Sequence, residues 1–147
     1  ERMEGLMARV PEDLLDWRPR RPEAWSIREH LIHLVDTEVN SFVRIKSIIA
    51  QPGSECYVME EDAWTRNLAG RREDARKYLN LFALLRSIIT DLVKDEPESN
   101  WNSNYFVRTY RGQRAELTLE KALELGCYHL DFHMDYVNRI LEEAKAQ

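Results

Sequence analysis

The stretch Tyr128-His129-Leu130-Asp131-Phe132-His133 decides how the rest of the chain is read. It lies in a segment that opens at Thr118, an N-cap residue type, and runs to about Glu143. Leu119, Leu123, Leu130, Val137 and Leu141 recur along it at helical spacing. His129 and His133 stand four residues apart, so on a helix they share one face, with Cβ atoms roughly 5–6 Å apart. Imidazoles placed this way reach one metal ion at about 2.0–2.1 Å each. Two protein ligands rarely suffice, which sends the search for a third elsewhere in the chain.

Helical periodicity dominates the remaining sequence. Ser26-Ile27-Arg28-Glu29 is a capping box, with Ser at the N-cap and Glu three residues on. It opens a helix predicted to reach about Ala50, striped by Ile27, Leu31, Leu34, Phe42, Ile45 and Ile49 and ended by Pro52-Gly53. After a break at Gly70, a third long helix is expected from Arg71 to about Lys94. Its buried face is Ala75, Tyr78, Leu79, Phe82, Leu85, Ile88, Ile89 and Leu92, and Pro97 ends it. Residues 1 to about 9 read as the tail of a first helix, Pro11 to about Asp16 as a short helical turn, and Glu60 to about Asn67 as a short helix carrying Trp64. Residues 97–116 lack clear periodicity and form a long connection before the last helix, a kind of segment that often carries function. No strand-type alternation persists. The fold class expected is all-α, a four-helix bundle, in a single domain over residues 1–147.

The composition narrows the function classes. With 44% hydrophobic and 32% charged residues the chain supports a real core under a solvated surface. A net charge of -5 excludes a general attraction to nucleic acid or anionic membrane. No apolar run approaches the ~20 residues needed to cross a bilayer, and no signal-peptide pattern is seen. Two cysteines, Cys56 and Cys127, make no disulfide framework, so a cytoplasmic location is expected, with Cys127 a small core residue. The chain opens on Glu1-Arg2, and a preceding part of the first helix is expected.

The remaining histidines, His30 and His33, lie within one turn of the second helix. On a wheel with Ile27 at zero the apolar stripe centres near ~30°, His30 falls at about 300° and His33 at about 240°. The angle alone favours His30 as the more inward group. Yet Glu29, His33, Asn40 and Arg44 form a polar line at about 200–260° that could face solvent or a cavity. The wheel leaves both histidines open. Glu38, at about 20°, sits on the apolar stripe, where a carboxylate needs an arginine partner or a function.

The segment Trp25-Ser26-Ile27-Arg28-Glu29-His30-Leu31-Ile32-His33-Leu34-Val35-Asp36 resembles the signature of the DinB-like family. Asn40 to Lys46 and Asp62-Ala63-Trp64 are similar to its YfiT-like branch, and the His129/His133 pair matches as well. That branch includes bacillithiol S-transferases and proposed metal-dependent hydrolases. The resemblance implies a DinB/YfiT-like bundle with His33, His129 and His133 as metal ligands, and leaves His30 as a partner for a backbone or acidic group. Asn40 and Arg44 are then candidate pocket residues, with Tyr57 and Trp64 as candidate walls.

Three neutral imidazoles leave the charge of a divalent ion, zinc or nickel, unneutralised and leave an open coordination position. Such a position can activate water or hold a thiolate. The expected activity is transfer of a low-molecular-weight thiol co-substrate to a small-molecule electrophile. The alternatives are metal-dependent hydrolysis, or a stress-related bundle whose metal is structural or vestigial. Glu38 and Asp36, with Tyr57 and Asp62 behind them, are the candidate catalytic bases. Metal release is expected below about pH 6, near the reference imidazole pKa of ~6.5. A homodimer is expected from the resemblance and from the frequency of two-fold pairs.

Overall fold

The computed structural model describes residues 2–68 and 74–146. Among these residues, six α-helices and one β-hairpin follow one another: α1 (Arg2–Met7), α2 (Ile27–Ala50), α3 (Glu61–Leu68), α4 (Ala75–Val93), α5 (Glu98–Ser103), β1 (Tyr105–Tyr110), β2 (Gln113–Thr118) and α6 (Leu119–Lys145). A single 3-10 turn, Glu12–Leu14, stands where the short helical turn was expected.

Helix boundaries follow local chemistry. Ser26 Oγ accepts from the Glu29 amide at 3.3 Å, and Glu29 Oε2 accepts from the Ser26 amide at 2.8 Å, so both halves of the capping box form. Asp74 caps α4 by accepting from the Arg76 and Lys77 amides, and Thr118 caps α6 by accepting from Lys121. The break expected at Gly70 and the helix start expected at Arg71 lie outside the described residues.

Two apolar clusters hold the bundle together. The first joins Met3 and Leu6 of α1, Ile27, Leu31, Leu34 and Val35 of α2, Ala75 and Phe82 of α4, and Val137, Ile140 and Leu141 of α6. The second joins Ile45 and Ile48 of α2, Ile89 and Val93 of α4, Leu119 of α6, and Phe106 and Leu117 of the hairpin. Helices α2 and α4 therefore both run from the first cluster to the second, and α6 returns. Parallel neighbours need a long crossover, and α3 lies in the connection between α2 and α4. Between the clusters the core thins: Glu38 is the only buried residue of α2 from Thr37 to Arg44, and His133 is the only one of α6 between Leu119 and Val137. Two side-chain expectations change. Cys127 is exposed rather than in the core, and Ile88 is 38% exposed.

The connection before α6 corrects the expectation of a segment without strands. Residues 105–118 form an antiparallel hairpin with Tyr105 opposite Thr118 and Tyr110 opposite Gln113. Arg111 and Gly112 make its two-residue turn with φ of 50° and 77°, the paired positive values of a type I′ turn. Tyr105-Phe106-Val107 are strand formers whose pattern is masked by the charged residues after them. The outer edge of β1 is covered by residues 53–56: the Cys56 amide donates to the Val107 carbonyl, and the Val107 amide to the Ser54 carbonyl, both at 2.9 Å.

Candidate metal centre

The histidines gather beside the first apolar cluster, His33 between its members Leu31 and Leu34 on α2 and His133 next to Met134 on α6. His33 projects from α2, and His129 and His133 from one face of α6. Their Nε2 atoms face one another: His129 Nε2 lies 3.1 Å from His33 Nε2 and 3.0 Å from His133 Nε2. One nitrogen carries either one proton or one lone pair, so hydrogen bonding alone leaves part of this convergence unsatisfied. Three nitrogens about 2.0–2.1 Å from a common ion would be spaced about 2.8–3.4 Å for angles between octahedral and tetrahedral. The donor set therefore suits a divalent cation. Among the described residues, no carboxylate joins this group.

Around the three rings the packing is aromatic. Trp25, just before the Ser26 cap, lies 5.0 Å from the His33 ring, 5.3 Å from His30 and 6.0 Å from His133, centroid to centroid. Burial lowers the pKa of His33 to about 4, with the charges of His129 and His30 adding to it. Burial, followed by His129, His33 and His30, takes His133 to about 2. His129 is lowered by burial and then by Arg86. All three are neutral at pH 7, with lone pairs free to bind a cation.

His30 does not take the backbone or acidic partner expected of it. Its Nδ1 lies 2.8 Å from His133 Nδ1, and its ring stacks at 25° on Tyr136. Burial, then the Arg21 charge, lowers its pKa to about 4. Sequence reasoning placed His30 inward without finding this partner, which is 103 positions away.

Two cavities meet the histidines. The smaller, about 180 Å³, is lined by His33, Asp36, Trp64, Arg18 and Glu29 among others. The larger, about 360 Å³, reaches His129 and is walled by Glu38, Asn40, Arg44, Arg86, Arg108 and Tyr110 among others. The hairpin contributes through its period of two: Phe106, Arg108 and Tyr110 share one face of β1 and all line this cavity.

The expected site residues separate accordingly. Asp36 and Trp64 line the smaller cavity with His33, and Asn40, Arg44 and Glu38 line the larger with His129. Tyr57 lines neither; its side chain is 63% exposed, and only its carbonyl takes part, accepting from Arg44 Nη2 at 2.9 Å. Asp62 is exposed and lines neither cavity. Glu38 resolves to an arginine pair: Arg86 Nε lies 2.9 Å from Glu38 Oε1. Burial still raises the Glu38 pKa against the pull of Arg86. Arg86 also donates to the Gly126 carbonyl, tying α4 to α6 beside the converging histidines. Neither Arg86 nor Arg108 emerged from the sequence. Arg86 lies four positions after Phe82 on the α4 core side, the one signal that could have found it.

The chain is similar to a Bacillus subtilis (strain 168) protein named "Putative metal-dependent hydrolase YfiT", with 23% identity over 122 residues, 83% of this chain and 67% of that protein. A Bacillus licheniformis protein of the same description is 25% identical over 135 residues, 92% of this chain and 74% of that protein. The solved structure of YfiT from Bacillus subtilis, described as having an unusual four-helix bundle topology, superposes with a TM-score of 0.85 at 22% identity over 97% of this chain and 79% of that one. The parallel α2–α4 pair and the hairpin thus belong to a four-helix bundle fold already seen in another protein. The sequence profile of the DinB superfamily matches residues 1–137, from α1 to Val137 beyond the last of the clustered histidines, and the chain belongs to that superfamily.

Proposed function

We propose that this chain is a metal-dependent hydrolase of a small-molecule substrate, with His33, His129 and His133 holding one divalent ion such as zinc or nickel. The observation that carries the proposal is the convergence of three neutral imidazoles, with His129 Nε2 3.0–3.1 Å from the Nε2 atoms of the other two, beside an open cavity of about 360 Å³. A closed structural site takes four protein ligands, whereas three with an adjoining space is the pattern of a catalytic one. A bound divalent ion at such a site polarises a coordinated water and lowers its pKa to about 7.

The chain's own residues supply the rest. Trp25 shields the imidazoles on one side and fixes their ring planes. His30 holds the His133 ring from behind. Asp36 brings a carboxylate to the cavity at His33, and Glu38 brings another, paired with Arg86, to the cavity at His129. The matched relatives' names favour hydrolysis. Nothing in either cavity favours a thiol over water, so the thiol-transfer reading gains no support beyond the resemblance. The open cavity speaks against a purely structural ion.

The test is turnover of p-nitrophenyl acetate and related activated esters by the zinc- or nickel-loaded chain, run alongside a model electrophile with a panel of low-molecular-weight thiols. The expected result is ester cleavage that is lost on chelation and in His129→Ala. Thiol-dependent consumption of the electrophile without ester cleavage would overturn the hydrolase assignment.

A further inference from the structure

The larger cavity carries an imbalance of charge that the metal ligands do not explain. Its charged side chains are Arg44, Arg86 and Arg108 against Glu38 and Glu61. Arg86 is matched to Glu38, which leaves Arg44 and Arg108 against Glu61 alone, a carboxylate that accepts from the Tyr110 hydroxyl at 3.1 Å. Among the described residues, neither Arg44 nor Arg108 has a carboxylate within ion-pair distance. Arg44 gives one donor to a neutral carbonyl, that of Tyr57, and its Nε is buried without an acceptor. Its guanidinium lies 5.8 Å from the Phe106 ring centroid, and that of Arg108 lies 5.9 Å from the Tyr110 ring, so aromatic side chains four positions apart on β1 flank both cations. The two arginines feel each other: burial lowers the Arg44 pKa, Cys56 opposes the shift, and the Arg108 charge adds to it.

Two guanidiniums with no carboxylate at ion-pair distance, and only Glu61 left in the lining to offset them, favour the entry of an anion into this half-enclosed space. Guanidinium forks match the planar geometry of carboxylate and the oxygens of phosphate. We infer that the larger cavity receives the anionic end of the substrate, a carboxylate or phosphate group held between Arg44 and Arg108, with the rest of the molecule extending past Glu38 and Arg86 to His129. This rests on the hydrolase reading for what happens at the histidines and is independent of it for what binds at the arginines.

The experiment is isothermal titration of the zinc-loaded chain with succinate, inorganic phosphate and the neutral succinamide, repeated on zinc-loaded Arg108→Gln and Arg44→Gln and on His129→Ala without metal. Succinate or phosphate is expected to bind and succinamide to fail, and the anion that binds names the class of group recognised. Arg108→Gln, which removes no hydrogen bond that the fold uses, is expected to weaken binding by about tenfold or more. Arg44→Gln should do the same where its circular dichroism matches the parent. His129→Ala is expected to retain most of the anion affinity. Failure of both anions, equal binding of succinamide, undiminished binding in Arg108→Gln, or loss of binding in His129→Ala would each overturn the inference. Arginine-dependent anion binding by a chain that cleaves no ester refutes the hydrolase reading alone, and cleavage without such binding refutes this one alone.

Discussion

His30 Nδ1 sits 2.8 Å from His133 Nδ1, so one ring must donate to the other. With both imidazoles neutral, a proton on His133 Nδ1 leaves its Nε2 lone pair directed toward His129 Nε2, 3.0 Å away. His30 thereby selects which nitrogen of His133 faces the centre, from outside the set that would touch an ion. Support of this kind is typically worth 10- to 100-fold in metal affinity. His30→Ala is expected to bind one ion per chain with affinity reduced by roughly that factor. Competition against a chromogenic chelator reads the change directly, and an unchanged affinity would remove His30 from the account.

Acid sensitivity follows from the same burial. His30 and His33 have folded-state pKa values of about 4, and His133 about 2, all below the ordinary 6.5. As pH falls, the unfolded chain takes up these protons first, so stability is full above about pH 6.5 and declines as pH falls toward 4. A shift from 6.5 to about 4 in one buried imidazole corresponds to about 3 kcal/mol when fully expressed. Glu38, whose pKa burial raises, works in the opposite sense at the acid end. Urea midpoints of the metal-stripped chain between pH 7.5 and 4.5 are expected to fall steadily below pH 6.5. A midpoint unchanged down to pH 5 would contradict the histidine burial.

Metal retention shifts with it. The reference imidazole value places release below about pH 6, but folded-state values near 4 weaken proton competition at the site. Half-release is now expected at roughly pH 5 or lower. Equilibrium dialysis across that range decides the point, and half-release at pH 6 or above would restore the simpler expectation.

The Glu38–Arg86 pair is a separate test of the bundle's middle. Arg86→Met leaves the Glu38 carboxylate buried without its cation, a change that destabilises by about 3 kcal/mol or more. Glu38→Met combined with Arg86→Met replaces both charges by apolar groups and should recover most of that loss. Denaturation of the single and double variants gives the comparison. A double variant no more stable than Arg86→Met would show that the pair stabilises by more than mutual compensation.

Much of this arrangement was legible in the sequence because helices write their contacts at short range. The Ser26–Glu29 box gave the start of α2 at Ile27, and the stripe through Leu119, Val137 and Leu141 gave α6. The spacing of His129 and His133 placed two imidazoles on one face, but only the resemblance chose His33 over His30, since the wheel put His30 further in. The hairpin escaped although Tyr105, Phe106, Val107, Thr109 and Tyr110 are all strand formers, because β2 is mostly polar and the turn is Arg111-Gly112 rather than Asn-Gly. With it were lost Arg108 and the wall of the larger cavity. Arg86 and the His30–His133 contact are long-range pairings that periodicity along one helix does not encode.

The most direct test is the metal content, by mass spectrometry, of the chain and of its four single histidine-to-alanine variants, all purified alike. The account predicts close to one ion per chain for the parent and for His30→Ala, and almost none for His33→Ala, His129→Ala and His133→Ala. Full loading of the His33→Ala variant, or an empty parent chain in metal-replete conditions, would contradict it.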